Sequence, residues 1–199
     1  GNPRILAASQ PESERGEATV TIGSFYIDKY EVSNKMYNSM ASEAGLGLPQ
    51  SISNQSLLGP DKPVVGISWE SANNYASFTQ KSLPTEAEWE IAGRGPQGNL
   101  FSYGQEFREG AAHVGAGLST GTRNIGSTPQ DVTSSGIYDM SGNASEWMAD
   151  DFVRHYYKTV DGQENPNVES QTDAKAIRGG NFFDRDNIGP GRLTKRDSI

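Results

Sequence analysis

The sequence predicts a single α+β domain with little regular secondary structure, in which a few helices pack on short strands. A chain of 199 residues suits one hydrophobic core. Two short segments rich in β-branched and aromatic residues lie near its start, and three segments with helical spacing follow. From Gly93 onward the chain holds many Gly, Ser, Thr, Asn and Asp residues with only short apolar pieces, which indicates long loops.

The domain is expected to begin near Thr19. Residues 1–18 are polar and carry no apolar period, which predicts a flexible tail before a domain over residues 19–199. Strands are predicted over residues 19–22 and 25–28, because both segments are β-branched and aromatic. The Gly-Ser pair between them indicates a turn or a bulge.

The first helix is predicted over residues 34–44, with Ser33 as its N-cap. Within it, Met36, Tyr37 and Met40 lie at spacings that let them share one apolar face. A segment with two glycines and a proline then ends the helix.

The second helix is predicted over residues 69–79, where Trp69, Ala72 and Ala76 repeat at helical spacing after Ser68. A short third helix follows a Thr-x-x-Glu capping box that begins at Thr85. We expect the three tryptophans to anchor the core, because a buried indole ring removes a large apolar area from water. They are Trp69, Trp89 and Trp147.

Composition limits the classes of partner. The chain has 17 basic and 25 acidic residues and a net charge of −8, which disfavours nucleic acid and anionic membranes and favours cations or neutral ligands. No run of about 18 apolar residues is present, so membrane insertion by this segment is not expected. The chain has no cysteine, which excludes disulfides, thiolate metal sites and thiol nucleophiles within it.

Five segments together carry a resemblance to a known family. They are residues 25–34 (FYIDKYEVSN), 63–69 (PVVGISW), 83–90 (LPTEAEWE), 136–147 (GIYDMSGNASEW) and 178–182 (RGGNF). In this order they resemble the sulfatase-modifying-factor family, whose best-known members are the formylglycine-generating enzymes. The resemblance implies a C-type-lectin-like fold with short antiparallel strands. It also implies a closing Gly-Phe-Arg strand, which is not found up to Ile199.

The resemblance also identifies what is missing for the family's catalysis. In the family, two cysteines after the Arg-Gly-Gly segment hold a copper ion and oxidise a target cysteine to formylglycine. By register, Asp184 and Gly189 occupy those two positions here, and neither supplies the soft thiolate that Cu(I) prefers. We therefore expect no copper and no formylglycine-generating activity.

Other catalytic arrangements have little support in the residues. A two-histidine, one-carboxylate iron site would need both His113 and His155, and no Gly-x-Ser-x-Gly motif accompanies either histidine. The acidic pairs Asp150-Asp151 and Glu86 with Glu88 are interpreted as solvated faces or caps. Arg178 is expected to form a buried ion pair or to donate to carbonyls, because the following glycines permit close backbone approach.

A calcium site is predicted in the loop over residues 139–146. Ca²⁺ takes oxygen ligands, and a tight Gly-containing loop between two carboxylates can combine side-chain and carbonyl oxygens. The resemblance assigns Asp139 and Glu146 as side-chain ligands, and Gly142 and Ala144 as carbonyl ligands. The alternative is that both carboxylates cap turns or pair with arginine.

The ligand surface of the family lies on its C-terminal loops, where aromatics mix here with Asp, Asn and Arg, as suits recognition of polar ligands or proteins. The candidate residues are Phe182, Phe183, Asp184, Arg185, Asp186, Asn187 and Arg192. We therefore expect a non-catalytic domain that binds a protein or a polar ligand such as a glycan.

Two kinds of cysteine-free relative fit this interpretation. They are exported lipoproteins of secretion and gliding machinery, and variable display proteins of diversity-generating retroelements. Both imply a periplasmic, cell-surface or extracellular location. The alternative is a metal-dependent oxidase or oxygenase of the family that acts without the cysteine pair, and its metal content would distinguish the two.

Overall fold

The computed structural model describes residues 16–44, 49, 54–170, 173–185 and 190–199. The helices and strands of this part of the chain are, in order, α1 (Asn34–Ala44), a 3-10 helix (Gln55–Leu57), α2 (Trp69–Phe78), α3 (Glu86–Arg94), β1 (Glu146–Asp151), α4 (Tyr156–Val160), β2 (Lys175–Arg178) and β3 (Arg196–Ser198). Much of the described chain is irregular, as the sequence predicts.

The helix starts follow their local signals. The Ser33 hydroxyl accepts from the Met36 amide at 3.2 Å, and Ser68 caps α2 through the Ser71 amide. The Thr85 capping box is complete in α3. Since each signal lies within four residues of the bond it forms, the predicted starts are confirmed.

The predicted apolar face of α1 is partly wrong. Tyr37 and Ala41 are buried, whereas Met36 is 51% exposed. The buried pair lies one helical turn apart, and the Tyr37 ring stacks on Tyr75 of α2 at 5.5 Å. Packing against α2 therefore selects a face that excludes Met36.

The two predicted N-terminal strands do not form. Residues 19–28 are extended and alternate in burial, but only Thr21 makes a β-bridge, to Glu164. The neighbouring chain at this point is a turn after α4 rather than a strand, so a ladder cannot extend. The tail predicted through residue 18 lies largely outside the described residues, and Ala18 itself packs against the buried cluster around α4.

Strands β1, β2 and β3 form one antiparallel sheet in that order. Ile177 is paired with Trp147 on one side and with Asp197 on the other. The main core lies between this sheet, α3 and the loops. Its buried members are Trp89, Ala92, Ile137, Met140, Met148, Ala176 and Leu193.

The tryptophans have different environments. Trp89 is fully buried, as predicted. Trp69 and Trp147 are only partly buried, and each donates its indole N–H to a backbone carbonyl, of Met148 at 2.7 Å and of Ile67 at 3.2 Å. These two rings therefore fasten α2 and its preceding loop to β1 at the margin of the core.

A buried charge network joins α3 to the sheet. Arg178 donates to Glu86 at 2.7 Å, to Glu90 at 2.8 Å and to the Leu193 carbonyl at 3.0 Å, which confirms the ion pair predicted for this arginine. Arg196 donates to the same Glu86 at 2.6 Å. The interpretation of Glu86 as a solvated or capping group is wrong, because two arginines hold its carboxylate in the interior.

The acidic pair that follows in β1 also lies inside. Asp150 is fully buried and accepts from the backbone amides of Glu86 and Val168. It therefore caps α3, which agrees with a capping role and not with a solvated face. In the described residues, no helix combines the length and apolar character needed to cross a bilayer.

Candidate functional site

The loop that leads into β1 is held in a tight conformation. Asp139 and Asn143 both have positive φ angles, +62° and +66°. A Cβ atom at Gly142 would lie 2.9 Å from the backbone nitrogen and oxygen of His113, so this position requires glycine. The Asn143 amide then donates to the His113 carbonyl at 3.0 Å.

Three carboxylates surround this loop. Asp139 accepts from the Gly126 amide at 2.5 Å, and Glu146 accepts from the Trp89 indole at 2.9 Å. The third is Glu31, which accepts from the Ala144 amide at 3.0 Å. Sequence reasoning missed Glu31 as a member of this site, although it lies in the first segment that carries the family resemblance.

Burial makes these carboxylates difficult to ionise. Burial raises the pKa of Glu31 well above its usual value, and the charges of Asp139 and Glu146 raise it further. Burial raises the pKa of Asp139 to about 6 and that of Glu146 to about 7. None of the three forms an ion pair with a described residue, so a bound cation would favour their charged forms.

A fourth acid lies directly behind the loop. The Asp131 carboxylate accepts from the Ser102 hydroxyl and the Ser141 amide through Oδ1, whereas its buried Oδ2 has no hydrogen-bond partner. Burial raises the pKa of Asp131 to about 7. Its charge contributes to the raised pKa of Glu146.

The donor chemistry fits the predicted calcium ligands. Asp139 and Glu146 carry carboxylates, and Gly142 and Ala144 lie between them in the same loop. Across the described ranges, no three His, Asp or Glu side chains are grouped as a metal centre. The predicted calcium set has only two side-chain ligands, and backbone carbonyls would supply the others.

The loop over residues 139–146, here called the acidic loop, also forms hydrogen bonds with the C-terminal loops. The Asn143 carbonyl accepts from the Phe182 amide at 3.0 Å, and the Phe182 carbonyl accepts from the Ala116 amide at 2.6 Å. The Asn143 side chain accepts from the Arg123 amide at 2.9 Å. One asparagine therefore links the acidic loop to two of the loops above it.

The predicted ligand residues differ in their exposure to solvent. Phe183 is 48% exposed, and the exposed Arg185 has its guanidinium 5.6 Å from the Phe183 ring. Phe182 is partly buried and stacks on His113 with centroids 6.5 Å apart. Arg192 is 1% exposed and therefore lies beneath the surface on which it was predicted.

The resemblance assigns the family's two cysteines to the positions of Asp184 and Gly189, and only Asp184 lies among the described residues. Lys195 holds the Asp184 carboxylate at 2.7 Å, and the Asp184 side chain is only 6% exposed. Residues Asp186, Asn187 and Gly189 lie outside the described residues. The described part of the predicted surface therefore presents Phe183 and Arg185, with Phe182 behind them.

Comparison with known proteins gives one family match over nearly the whole chain. The model of the sulfatase-modifying factor enzyme 1-like domain matches residues 3–197. The serine/threonine-protein kinase pkn1 of Chlamydia caviae is 38% identical over 59% of this chain and 19% of its own length. The formylglycine-generating enzyme of Streptomyces coelicolor is 32% identical over 64% of this chain and 44% of its own.

A third relative has a name that describes it as inactive. The inactive C-alpha-formylglycine-generating enzyme 2 of Bos taurus is 32% identical over 45% of this chain and 33% of its own length. The chain thus spans less than half the length of each of these relatives.

Two solved structures share the fold. PvdO from Pseudomonas aeruginosa has a TM-score of 0.69 at 24% identity, over 86% of this chain and 72% of its own. Treponema denticola variable protein 1 has a TM-score of 0.69 at 18% identity, over 94% of this chain and 83% of its own. At these identities the likeness concerns the fold alone.

Proposed function

The chain belongs to the sulfatase-modifying factor enzyme 1-like domain family, and from this premise we propose that it is a non-catalytic binding domain. One observation carries the proposal: the 199 residues contain no cysteine, whereas the family's copper chemistry uses a cysteine pair. A scaffold that lacks its thiolates retains its loops, and the loops remain available for recognition.

The contacts of Asp184 support this interpretation. This residue stands where the family resemblance places the first of the two cysteines, and its carboxylate is a hard ligand that suits Cu(I) poorly. Lys195 also engages it in a salt bridge of 2.7 Å that is shielded from solvent. Here the position serves to fix the loop over residues 181–185 to the chain before β3.

Recognition through the C-terminal loops is supported by the exposure of Phe183 and Arg185. A half-exposed aromatic ring beside a guanidinium group is typical of binding surfaces, in which aromatic residues and arginine are enriched. We propose that the partner is a protein or a polar ligand, and that the domain has the exported location that the resemblance implies.

We further propose that calcium stabilises the domain at the acidic loop. Asp139 and Glu146 would hold the ion with the carbonyls of Gly142 and Ala144, and Glu31 would add negative charge beside them. Bound calcium would neutralise carboxylates that the fold otherwise buries without an ion pair in the described chain. It would also hold the turn from which Asn143 contacts Phe182.

The binding proposal is tested by a screen of the purified domain against glycan and protein arrays. Phe183→Ala and Arg185→Ala are expected to remove the hits that wild type shows. The matched control is Phe78→Ala, because Phe78 is an exposed phenylalanine on α2, at 44% exposure. Hits that survive both loop substitutions would refute the location of the surface.

The loss of catalysis is tested separately. Pure protein of known metal content is incubated with cysteine-bearing peptides, and products are examined by mass spectrometry. We expect no formylglycine, and its formation would overturn the proposal.

The oxidase alternative makes a different prediction, since it requires iron or copper in the protein. Elemental analysis is expected to find calcium or no metal. The two histidines give that alternative little support. His113 is buried with Nε2 2.8 Å from the Gly121 carbonyl, and His155 is exposed at the start of α4.

A further inference from the structure

Among the described residues of the C-terminal loops and of residues 110–130, the exposed charges are basic, although the chain as a whole is acidic. The net charge is −8, yet Arg123 is the only charged residue between positions 110 and 130. Residues 190–196 add no exposed charge, because Arg192 and Arg196 are buried and Lys195 pairs with Asp184. Of the two acids beside Arg185, Asp184 is neutralised by Lys195, and Asp186 lies outside the described residues.

Two arginines on these loops point to an anionic ligand. Arg123 and Arg185 are both exposed, and neither forms an ion pair with a described residue. Their loops are connected, because Asn143 bonds to the backbone of Arg123 and to the backbone of Phe182. Two exposed cations on joined loops attract carboxylates more strongly than either does alone.

Apolar side chains lie on the same loops. Leu118 is 59% exposed, Phe183 is 48% exposed and Leu58 is 43% exposed. Asn54 and Ser56 both donate to the Leu118 carbonyl, which joins the loop around Leu58 to the others. Exposed apolar groups beside cations suit a partner that brings both carboxylates and apolar side chains.

Resting on the proposed function, we propose that the ligand of this surface is an acidic polypeptide segment. Its carboxylates would pair with Arg123 and Arg185, and its apolar side chains would cover Phe183 and Leu118. A polypeptide fits better than a glycan for two reasons. Two of the three exposed apolar side chains, Leu58 and Leu118, offer no flat face for a sugar ring, which leaves only Phe183 for stacking. The carboxylate of Asp184, which could accept from sugar hydroxyls, is already engaged by Lys195.

The test is a selection of peptides from a random phage-displayed library on the wild-type domain. We expect the selected peptides to be rich in Asp and Glu beside Phe, Leu or Trp. A labelled synthetic copy is then titrated by fluorescence anisotropy. Arg123→Glu and Arg185→Glu are each expected to weaken its binding about tenfold, and added salt is expected to weaken it further.

Lys158→Glu is the matched control, since it makes the same change of charge at an exposed residue on α4. It is expected to leave binding unchanged. Melting curves of all variants show whether any has lost its fold. The proposal would be overturned if acidic peptides bind equally well to both arginine variants. It would also be overturned if the selected peptides are neutral or basic, or if no peptide is enriched.

The outcome also separates this proposal from the proposed function. Neutral peptides or glycans whose binding requires Phe183 would leave the recognition surface standing and refute the acidic polypeptide. If no selected peptide or array hit depends on Phe183, both are refuted.

Discussion

The side-chain amide of Asn143 donates a hydrogen bond to Glu31 Oε2 at 2.7 Å, across 112 positions of sequence. The backbone carbonyl of the same asparagine accepts from the Phe182 amide at 3.0 Å. Asn143 is 1% exposed, so both bonds lie away from solvent. The acidic loop and the proposed binding loops are therefore coupled through one buried residue. A change in the acidic loop should alter the position of the binding loops.

Calcium is expected to raise the melting temperature of the chelator-treated domain. Binding to the folded state alone adds about 2.7 kcal/mol at a calcium concentration about a hundred times Kd. Glu146→Gln should remove most of this increase, because it deletes a ligand charge but keeps an oxygen that can accept from Trp89. Scanning fluorimetry with and without calcium measures the effect. Glu106→Gln, at an exposed glutamate, is the control, and an equal calcium response in the two variants would contradict the site.

Without calcium, stability is expected to fall as pH rises from about 4 to about 8. The folded pKa of Asp131 and of Glu146 is raised to about 7, above the usual values of 3.8 and 4.5. The folded state then binds more protons than the unfolded state within this window, so its stability is greatest below the unfolded pKa and is lost as pH passes the folded pKa. Urea midpoints at several pH values in chelator check the slope. A midpoint that rises steadily over this range would contradict the raised pKa values of these acids.

The helices could be predicted from the sequence because their signals are local. The Thr85 capping box needs only Glu88, three residues away, and both of its bonds form. The strands could not be predicted from the sequence, because strand pairing joins distant parts of the chain. Thr21 meets Glu164 in a single bridge, and nothing near Thr21 in sequence shows that its neighbour is a turn.

The same distinction applies to the candidate site. Asp139 and Glu146 lie in one turn, so their proximity follows from a short motif. Glu31 reaches that turn from over a hundred residues away, and only the fold brings it there. Arg192 shows the opposite error: the family resemblance placed it on a binding loop, but which side of a loop is buried depends on packing.

Arg178→Ala is expected to destabilise the domain by about 3–5 kcal/mol, because it leaves Glu86 and Glu90 buried with a lost partner. Lys81→Ala is the matched control: its pair with Asp28 is about half exposed, and such pairs contribute about 0–1 kcal/mol. Urea unfolding at neutral pH measures both. Equal losses for the two variants would mean that the Arg178 network is not closed to water.

Gly142→Ala is expected to destabilise the acidic loop by about 1–3 kcal/mol, since the new Cβ would press on the His113 backbone at 2.9 Å. Gly117→Ala is the control, because its nearest neighbour is Ser119 Oγ at 3.7 Å and a change within about 0.5 kcal/mol is expected. Urea unfolding gives the cost, and titration with a partner gives the consequence for binding.

The displacement caused by Gly142→Ala should also lengthen the bond from the Asn143 amide to the His113 carbonyl, now 3.0 Å. The Asn143 carbonyl accepts from the Phe182 amide, so Gly142→Ala should bind a partner of the C-terminal loops more weakly than wild type does. If Gly142→Ala loses stability but keeps full affinity, Asn143 holds the two loops together without setting the position of Phe182.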